Sequence, residues 1–415
     1  MAERSGSGRI VGMVLAGLGA FLLVVAIMIP TYTVGKLKTT PLDLEVTTVA
    51  EGTGDILNSR ALLAGNAQVD TDVPIVAQRF VTVEEPSDAD IMTLQAGLSV
   101  RRLDMQGDTG LVSATVDRLT IDRVTAMPVS KDDYPDRVST IQTSPDTPGD
   151  EIDNREGLQY KFPFDVEKKA YPYFDNNARE NYPIDFVDEE EINGMTVYKF
   201  RHEIGPVDLS KADPNAPTYK LSLPASTWGV GEGDEPVTMT RWYNNVRTLW
   251  VDPVTGVVVK GEEQQNQYYA READNPEITV LNVDLVFDED TIEFQLEQAR
   301  NGQDQLSTFG RTLPIIAGIL GVILLIAGFL LGSRSGGGGR RPATGGTPTP
   351  SGPAPAAAGG AAGAHAAGTQ RDYTDDRTEV IPRTDAGDGD QQRDWTTDQT
   401  QEIPRTDLRK PDNGQ

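Results

Sequence analysis

Two uncharged apolar runs, residues 10–29 and 313–331, bracket the one large polar region of this 415-residue chain. Each has about 20 residues, the length a helix needs to cross a hydrocarbon core of about 30 Å, where every backbone polar group must be satisfied within the segment. The runs therefore predict two transmembrane helices holding an intervening domain, residues 31–311. Residues 1–9 are then a short cytoplasmic N-terminus, and residues 332–415 a cytoplasmic tail.

Basic residues near the runs set the expected orientation. Arg4 and Arg9 precede the first, while Arg334, Arg340 and Arg341 follow the second. By the positive-inside rule both termini are expected in the cytoplasm and residues 31–311 outside, in the inner (cytoplasmic) membrane. Lys36 and Lys38 oppose that bias weakly and lie close to Asp43 and Glu45. A cleavable signal peptide is the alternative for the first run. The stretch Ile27-Met28-Ile29-Pro30-Thr31-Tyr32 offers no small-x-small cleavage site, so an uncleaved anchor is expected.

Composition narrows the chemistry of the domain. The chain has no cysteine, which excludes disulfides, thiolate metal sites and a lipid-modified N-terminal Cys. Residues 31–311 hold 25 Lys or Arg against 50 Asp or Glu, which is nearly all of the net charge of −26. A surface so acidic repels nucleic acid and anionic headgroups. Asp188-Glu189-Glu190-Glu191 and Asp288-Glu289-Asp290 lack the alternating oxygen ligands and central Gly of a calcium loop, so no metal and no cofactor is expected.

Short runs rich in Val, Ile, Thr and aromatics, separated by Gly, Pro, Asp and Asn, predict strands. Residues 73–83, 94–103 and 111–124 are such runs, with a turn at 106–110. Asn193-Gly194 marks one hairpin, after which Tyr198, Phe200, His202 and Ile204 share a strand face. Residues 249–260 form a second, turning at Asp252-Pro253-Val254-Thr255-Gly256. Residues 288–302 predict a short helix capped by Asp290 with Glu293 three positions on. The polar stretch 134–157 reads as a loop, either between two subdomains or within one sheet. The expected class is α+β: a mostly antiparallel β ectodomain flanked by two transmembrane helices, with a disordered C-terminal tail.

The densest aromatic stretch contains Tyr160, Phe162, Phe164, Tyr171, Tyr173 and Phe174. These residues are candidates for the wall of a lipid or glycan groove, with ordinary core and loop as the alternative. Catalytic patterns are missing. His365 lies in the Ala/Gly tail, His202 fits a half-buried structural position, and no Gly-x-Ser-x-Gly or His-Glu-x-x-His motif occurs. A binding protein is expected rather than an enzyme. Gly12, Ala16 and Ala20 in the first run, and Ala317, Gly321 and Gly328 in the second, offer small faces for helix packing.

The tail is rich in Gly, Ala, Pro, Ser and Thr, a composition that cannot offset chain entropy by apolar burial. It contains a duplicated motif, residues 371–385 and 393–407, that places Thr378 and Thr400 each before Glu or Gln and then Ile-Pro. These sites resemble the phosphoacceptor threonines of bacterial transmembrane Ser/Thr kinases, which implies a kinase and a phosphothreonine reader as partners.

The Trp250-Val251-Asp252-Pro253-x-Thr255-Gly256 hairpin resembles those in the curved sheets of periplasmic lipoprotein and lipid carriers. Together with the anchor ending Ile29-Pro30-Thr31-Tyr32, with Tyr171-Pro172-Tyr173-Phe174-Asp175 and with the second span, it makes the layout similar to the actinobacterial porin PorA family over roughly residues 8–335. A pore of the outer envelope requires a closed barrel or amphipathic segments, whereas these spans are wholly apolar. The double-anchored plan also resembles class B scavenger receptors, whose ectodomains carry lipid through an internal tunnel. The expected function is therefore binding or transfer of an apolar envelope lipid. An envelope scaffold whose ectodomain binds a protein or glycan and whose tail is phosphorylated is the alternative.

Overall fold

The first apolar run winds as one helix through three segments. In a computed structural model of the chain, which describes residues 5–334, α1 (Ser5–Met28) passes through a π segment, Ile29–Thr33, into α2 (Val34–Leu37). Pro30 lacks the N–H that a regular α turn would use, and Thr31 Oγ1 donates to the Ile27 carbonyl at 2.9 Å. Thirteen strands follow, broken by three short helices. They are β1 (Glu45–Leu57), α3 (Ser59–Leu63), β2 (Val69–Glu84), β3 (Ile91–Arg102), β4 (Leu111–Asp122), β5 (Ser139–Gln142), β6 (Asp150–Glu151), β7 (Tyr171–Asp175), β8 (Glu180–Ile192), β9 (Met195–Asp208), α4 (Leu209–Ala212), β10 (Lys220–Pro224), α5 (Ala225–Trp228), β11 (Pro236–Val251), β12 (Val258–Ala270) and β13 (Ile278–Phe287). The chain then returns through α6 (Glu289–Ser307), a second π segment (Thr308–Thr312) and α7 (Leu313–Arg334).

All named strand pairs are antiparallel, in the order β6-β5-β4-β3-β2-β1-β13-β12-β11-β9-β8-β7, with β10 on the side of β11. One continuous sheet therefore replaces the option of two subdomains, and the stretch 134–157 contributes β5 and β6 rather than loop alone. The sheet curls until its two ends meet. Phe174 of β7 packs with Ile141 of β5 and Ile152 beside β6, and Arg179 bridges to Asp150 at 2.9 Å. Meeting ends shield strand edges that would otherwise invite pairing with another chain.

Local chemistry explains the sharp reversals. Asn193 and Gly194 take φ of 46° and 79°, as a two-residue β8–β9 hairpin requires. Gly256 takes φ of 75° at the β11–β12 turn, where a Cβ would stand 2.2 Å from the Phe162 carbonyl oxygen. That turn also anchors the preceding aromatic loop, since Phe162 N–H donates to the Gly256 carbonyl at 2.9 Å and Val166 N–H to that of Pro253 at 2.8 Å.

Helix α6 differs from the sequence expectation at both ends. Asp288 rather than Asp290 is the cap, accepting from Thr291 N–H at 2.8 Å, because the extended backbone ends at Asp288 and the helix starts at Glu289, two residues before the expected first helical position. The helix does not stop at Gly302. That glycine instead admits Thr255, whose Cγ2 would lie 2.7 Å from an added Cβ. One face of α6, with Ile292, Leu296 and Ala299, packs on Val197, Trp250 and Val259.

The long helices α1 and α7 pack side by side with their backbones almost touching. A Cβ on Gly12 would lie 2.9 Å from the Gly328 carbonyl oxygen, one on Gly321 the same distance from that of Gly19, and one on Gly328 2.6 Å from Ala16 N. Gly12, Ala16, Gly321 and Gly328 thus lie where the helices meet, and Ala317 is half-buried. Ala20 points outward, and Gly19 takes the contact position instead, because the seam advances by alternating steps of three and four. The large outward side chains, such as Phe21, Ile27, Ile319 and Phe329, are apolar and exposed.

Candidate functional site

The curled sheet does not fill its own interior. Inward positions alternate along each strand, and several carry small side chains: Ala50 on β1, Ala77 on β2, Ala96 on β3 and Gly261 on β12. They leave a cavity of about 1550 Å³, beyond the roughly 300–1,000 Å³ of ordinary small-molecule sites. Its wall follows β12 from Val258 to Gln267, about 30 Å at the rise of a strand.

One end of the cavity faces the two apolar helices. Lys36 and Leu37 of α2 line it, as do Gln305 and Leu306 of α6. Leu306 precedes the apolar run at Leu313 by about 10 Å of helix, and Lys36 follows Ile29 by the same rise. The linker between α2 and β1 is clamped to the sheet: Thr40 N–H donates to the Arg123 carbonyl and Arg123 Nε to the Thr40 carbonyl, both at 2.9 Å, and Lys38 pairs with Asp165. The face of α6 turned to the cavity carries Gln295, Gln298, Asn301 and Gln305.

Farther in, a belt of buried charge crosses the wall. Arg247 donates to Glu263 at 2.8 Å, lies 3.5 Å from Asp175, and has Nη1 3.3 Å from Nδ1 of His202. Tyr243 donates its hydroxyl hydrogen to Asp175 at 3.0 Å. Burial alone would raise the Glu263 carboxyl, but the Arg247 guanidinium holds it below the usual range. His202 is fully buried against the rings of Tyr173 and Tyr182, and burial, then Arg247, brings its pKa down to about 3. A second pair, Arg155 with Asp117 at 2.6 and 2.7 Å, accepts a further hydrogen bond from the Tyr160 hydroxyl.

Lys161 sits toward the membrane end. Its Nζ donates to the carbonyls of Phe162 at 2.9 Å and Thr255 at 2.8 Å, and lies 4.0 Å from the centre of the Phe164 ring. Burial lowers its pKa to about 7 against a small opposing pull from Asp252.

The aromatic candidates divide between wall and core. Tyr160, Phe164, Tyr173 and Phe174 line the cavity, and the last two also pack into core clusters. Phe162 and Tyr171 pack into the hydrophobic core beside Phe200, with ring centres 4.8 Å (Phe162–Phe200) and 6.0 Å (Tyr171–Phe200) apart. Thr378 and Thr400 lie outside the described residues. Among the described residues no cluster of three or more His, Asp or Glu is placed to hold a metal ion.

Sequence reasoning missed the small inward residues, the amide face of α6 and the arginines of the belt. Strict alternation along β2, Ala77-x-Arg79-x-Val81, was the available signal. It becomes informative only once one face of the strand is known to look inward.

Two apolar helices that carry a curled, hollow antiparallel sheet define an integral membrane protein with an internal cavity. The Porin PorA family matches over residues 11–330, and the chain belongs to that family. A Porin PorA of Corynebacterium resistens is 34% identical over 402 residues, covering 78% of this chain and 96% of that protein. A Porin PorA of Corynebacterium amycolatum is 32% identical over 385 residues, covering 79% and 99%.

Proposed function

We propose that the ectodomain binds, and passes on, an apolar-tailed lipid of the cell envelope, which it takes from the leaflet facing the domain. The observation that carries this reading is the 1550 Å³ cavity with Leu37, Leu44 and Leu306 at its membrane end and Leu98, Val100, Leu281 and Leu285 deeper in. Kept dry, a void of that size would cost about tens of kcal/mol at ~24 cal/mol per Å³. That exceeds the whole stability of a typical domain, roughly 5–15 kcal/mol. The cavity is therefore not dry; its polar stretches suit water or a head group, and its apolar stretches suit an acyl chain better than bulk water.

On this reading the ectodomain is a carrier rather than a catalyst, and the state of its titratable groups supports it. The buried His202 is held neutral and directed at Arg247, and the acids of the belt are engaged with arginines. The relatives' name points to a pore. Two helices in backbone contact leave no lumen between them, so conduction would require several copies. Both termini lie in the cytoplasm of the inner membrane on this reading, as the flanking arginines favour. Thr378 and Thr400 would then face cytoplasmic kinases, with a phosphothreonine reader as the partner.

Native mass spectrometry of the full-length protein, purified from its own envelope in mild detergent, tests the proposal, followed by extraction of anything bound. A stoichiometric lipid is expected. A protein that is empty, and stays empty after incubation with total envelope lipid, would refute it and favour the scaffold.

A further inference from the structure

We propose that Arg79 is the anion-binding group of the cavity, holding the paired oxygens of a carboxylate or phosphate on the amphiphile bound there; this rests on the lipid reading above. Arg79 lies on the inner face of β2 between Ala77 and Val81, in register with Thr48 of β1 and Leu98 of β3. A guanidinium carries five N–H donors, and among the described residues those of Arg79 meet no protein acceptor. Its Nε is buried without a partner, and its guanidinium carbon stands 5.9 Å from the centre of the Tyr160 ring.

The other guanidinium groups of the wall are engaged. Arg247 pairs with Glu263, Arg179 with Asp150 and Asp213, Arg241 donates to Gln267, and Arg123 donates to main-chain carbonyls. The charge lining the cavity differs from that of the domain. Seven Lys or Arg and six Asp or Glu line it, in a domain where acids outnumber bases two to one. The interior is thus far less negative than the exterior, and an anion placed at Arg79 meets a guanidinium that no carboxylate of the described residues pairs. The planar fork of a guanidinium matches two oxygens of a carboxylate or phosphate, which a point charge or a lone hydroxyl does not exploit. Apolar wall lies on both sides of Arg79 along the strands, Val81 toward the membrane and Ala77 with Leu281 away from it. A head held at Arg79 therefore leaves room for a tail.

The test measures affinities of full-length protein in neutral detergent, by native mass spectrometry, for palmitate, hexadecyl phosphate, hexadecanol and inorganic phosphate. The wild type is expected to bind one of the two anionic amphiphiles roughly 10- to 100-fold more tightly than hexadecanol, the range for a hydrogen-bonded charge. Arg79→Gln should abolish that preference while leaving hexadecanol binding unchanged, and Arg79→Lys should retain part of it. Which anion is preferred separates a carboxylate source from a phosphate one.

Equal wild-type affinity for all three amphiphiles would overturn the role of Arg79 and leave the lipid reading standing. No binding of any of them would overturn both. Inorganic phosphate binding as tightly as hexadecyl phosphate would make this a free-anion site and refute the amphiphile. The wild-type comparison requires no variant, so misfolding of Arg79→Gln cannot mask the outcome.

Discussion

Acidification from pH 7 to pH 5 should destabilise this protein through His202, because the folded state refuses a proton that the unfolded chain accepts. The free imidazole titrates near 6.5, whereas burial and then Arg247 bring the folded value down to about 3. Between those values the unfolded chain binds more protons, so stability falls as pH falls through 6.5, and the loss is complete only below 3. At pH 5 the unfolded imidazole is almost wholly protonated and the folded one almost wholly neutral, which costs about 2 kcal/mol relative to pH 7. A variant that lacks this imidazole keeps every carboxylate, so the difference between the two proteins reads the histidine alone.

The experiment compares wild type with His202→Phe, both carrying His365→Ala, since His202 and His365 are the chain's two histidines. Phe keeps a ring between Tyr173 and Tyr182, and Arg247 retains Glu263 and Asp175. Urea unfolding of the detergent-solubilised protein at pH 7 and pH 5, followed by fluorescence of the buried Trp228 and Trp250, gives the two free energies. The wild type should lose about 2 kcal/mol over the interval and the variant only a small part of that. Equal losses in the two proteins would refute the argument, as would a histidine ¹⁵N signal that titrates near pH 6.5 in the folded protein.

Two substitutions probe the frame around the cavity. Gly328→Val places a side chain where a Cβ already stands 2.6 Å from Ala16 N, so α1 and α7 must separate; a loss of about 1–3 kcal/mol is expected from such overpacking and is read as a lower melting temperature in detergent, with Gly17→Val, which meets nothing within 4 Å, as the neutral control. Gly256→Ala combines a positive φ with a Cβ 2.2 Å from the Phe162 carbonyl oxygen; it should loosen the loop carrying Tyr160 and Phe164, detectable as faster backbone hydrogen exchange over residues 160–166.

The spans and the two tight hairpins were legible because each is decided locally, by run length in one case and by Asn193-Gly194 or Asp252 to Gly256 in the other. Strand β1 was not. Its Gly52 and Gly54 read as breakers in isolation, yet they are the positions where the β13 backbone passes closest, with the Asp284 carbonyl oxygen 2.0 Å from an ideal Cβ on Gly52. That reason exists only after β1 has paired with the last strand, more than 200 residues away. The aromatic stretch was visible as a cluster, but its division into wall and core depends on Phe200 of β9 claiming Phe162 and Tyr171. Short-range pattern named the residues, and long-range packing assigned their roles.

The small residues of the inner wall decide whether the cavity is built or left over. A sheet under selection only to fold would gain by placing Leu or Ile at Ala50 and Ala77, since voids are costly. These two alanines are direct cross-strand partners on adjoining strands, so together they open one continuous patch. Ala50→Trp with Ala77→Trp would put two indoles into space the wild type keeps clear. If that space holds a lipid tail, the double variant should melt no lower than delipidated wild type, because the rings enter space the tail otherwise occupies rather than a packed core, and should carry markedly less lipid after purification. Undiminished lipid occupancy in a folded double variant would show that the tail lies elsewhere; a melting temperature below that of delipidated wild type would show that these alanines are ordinary core.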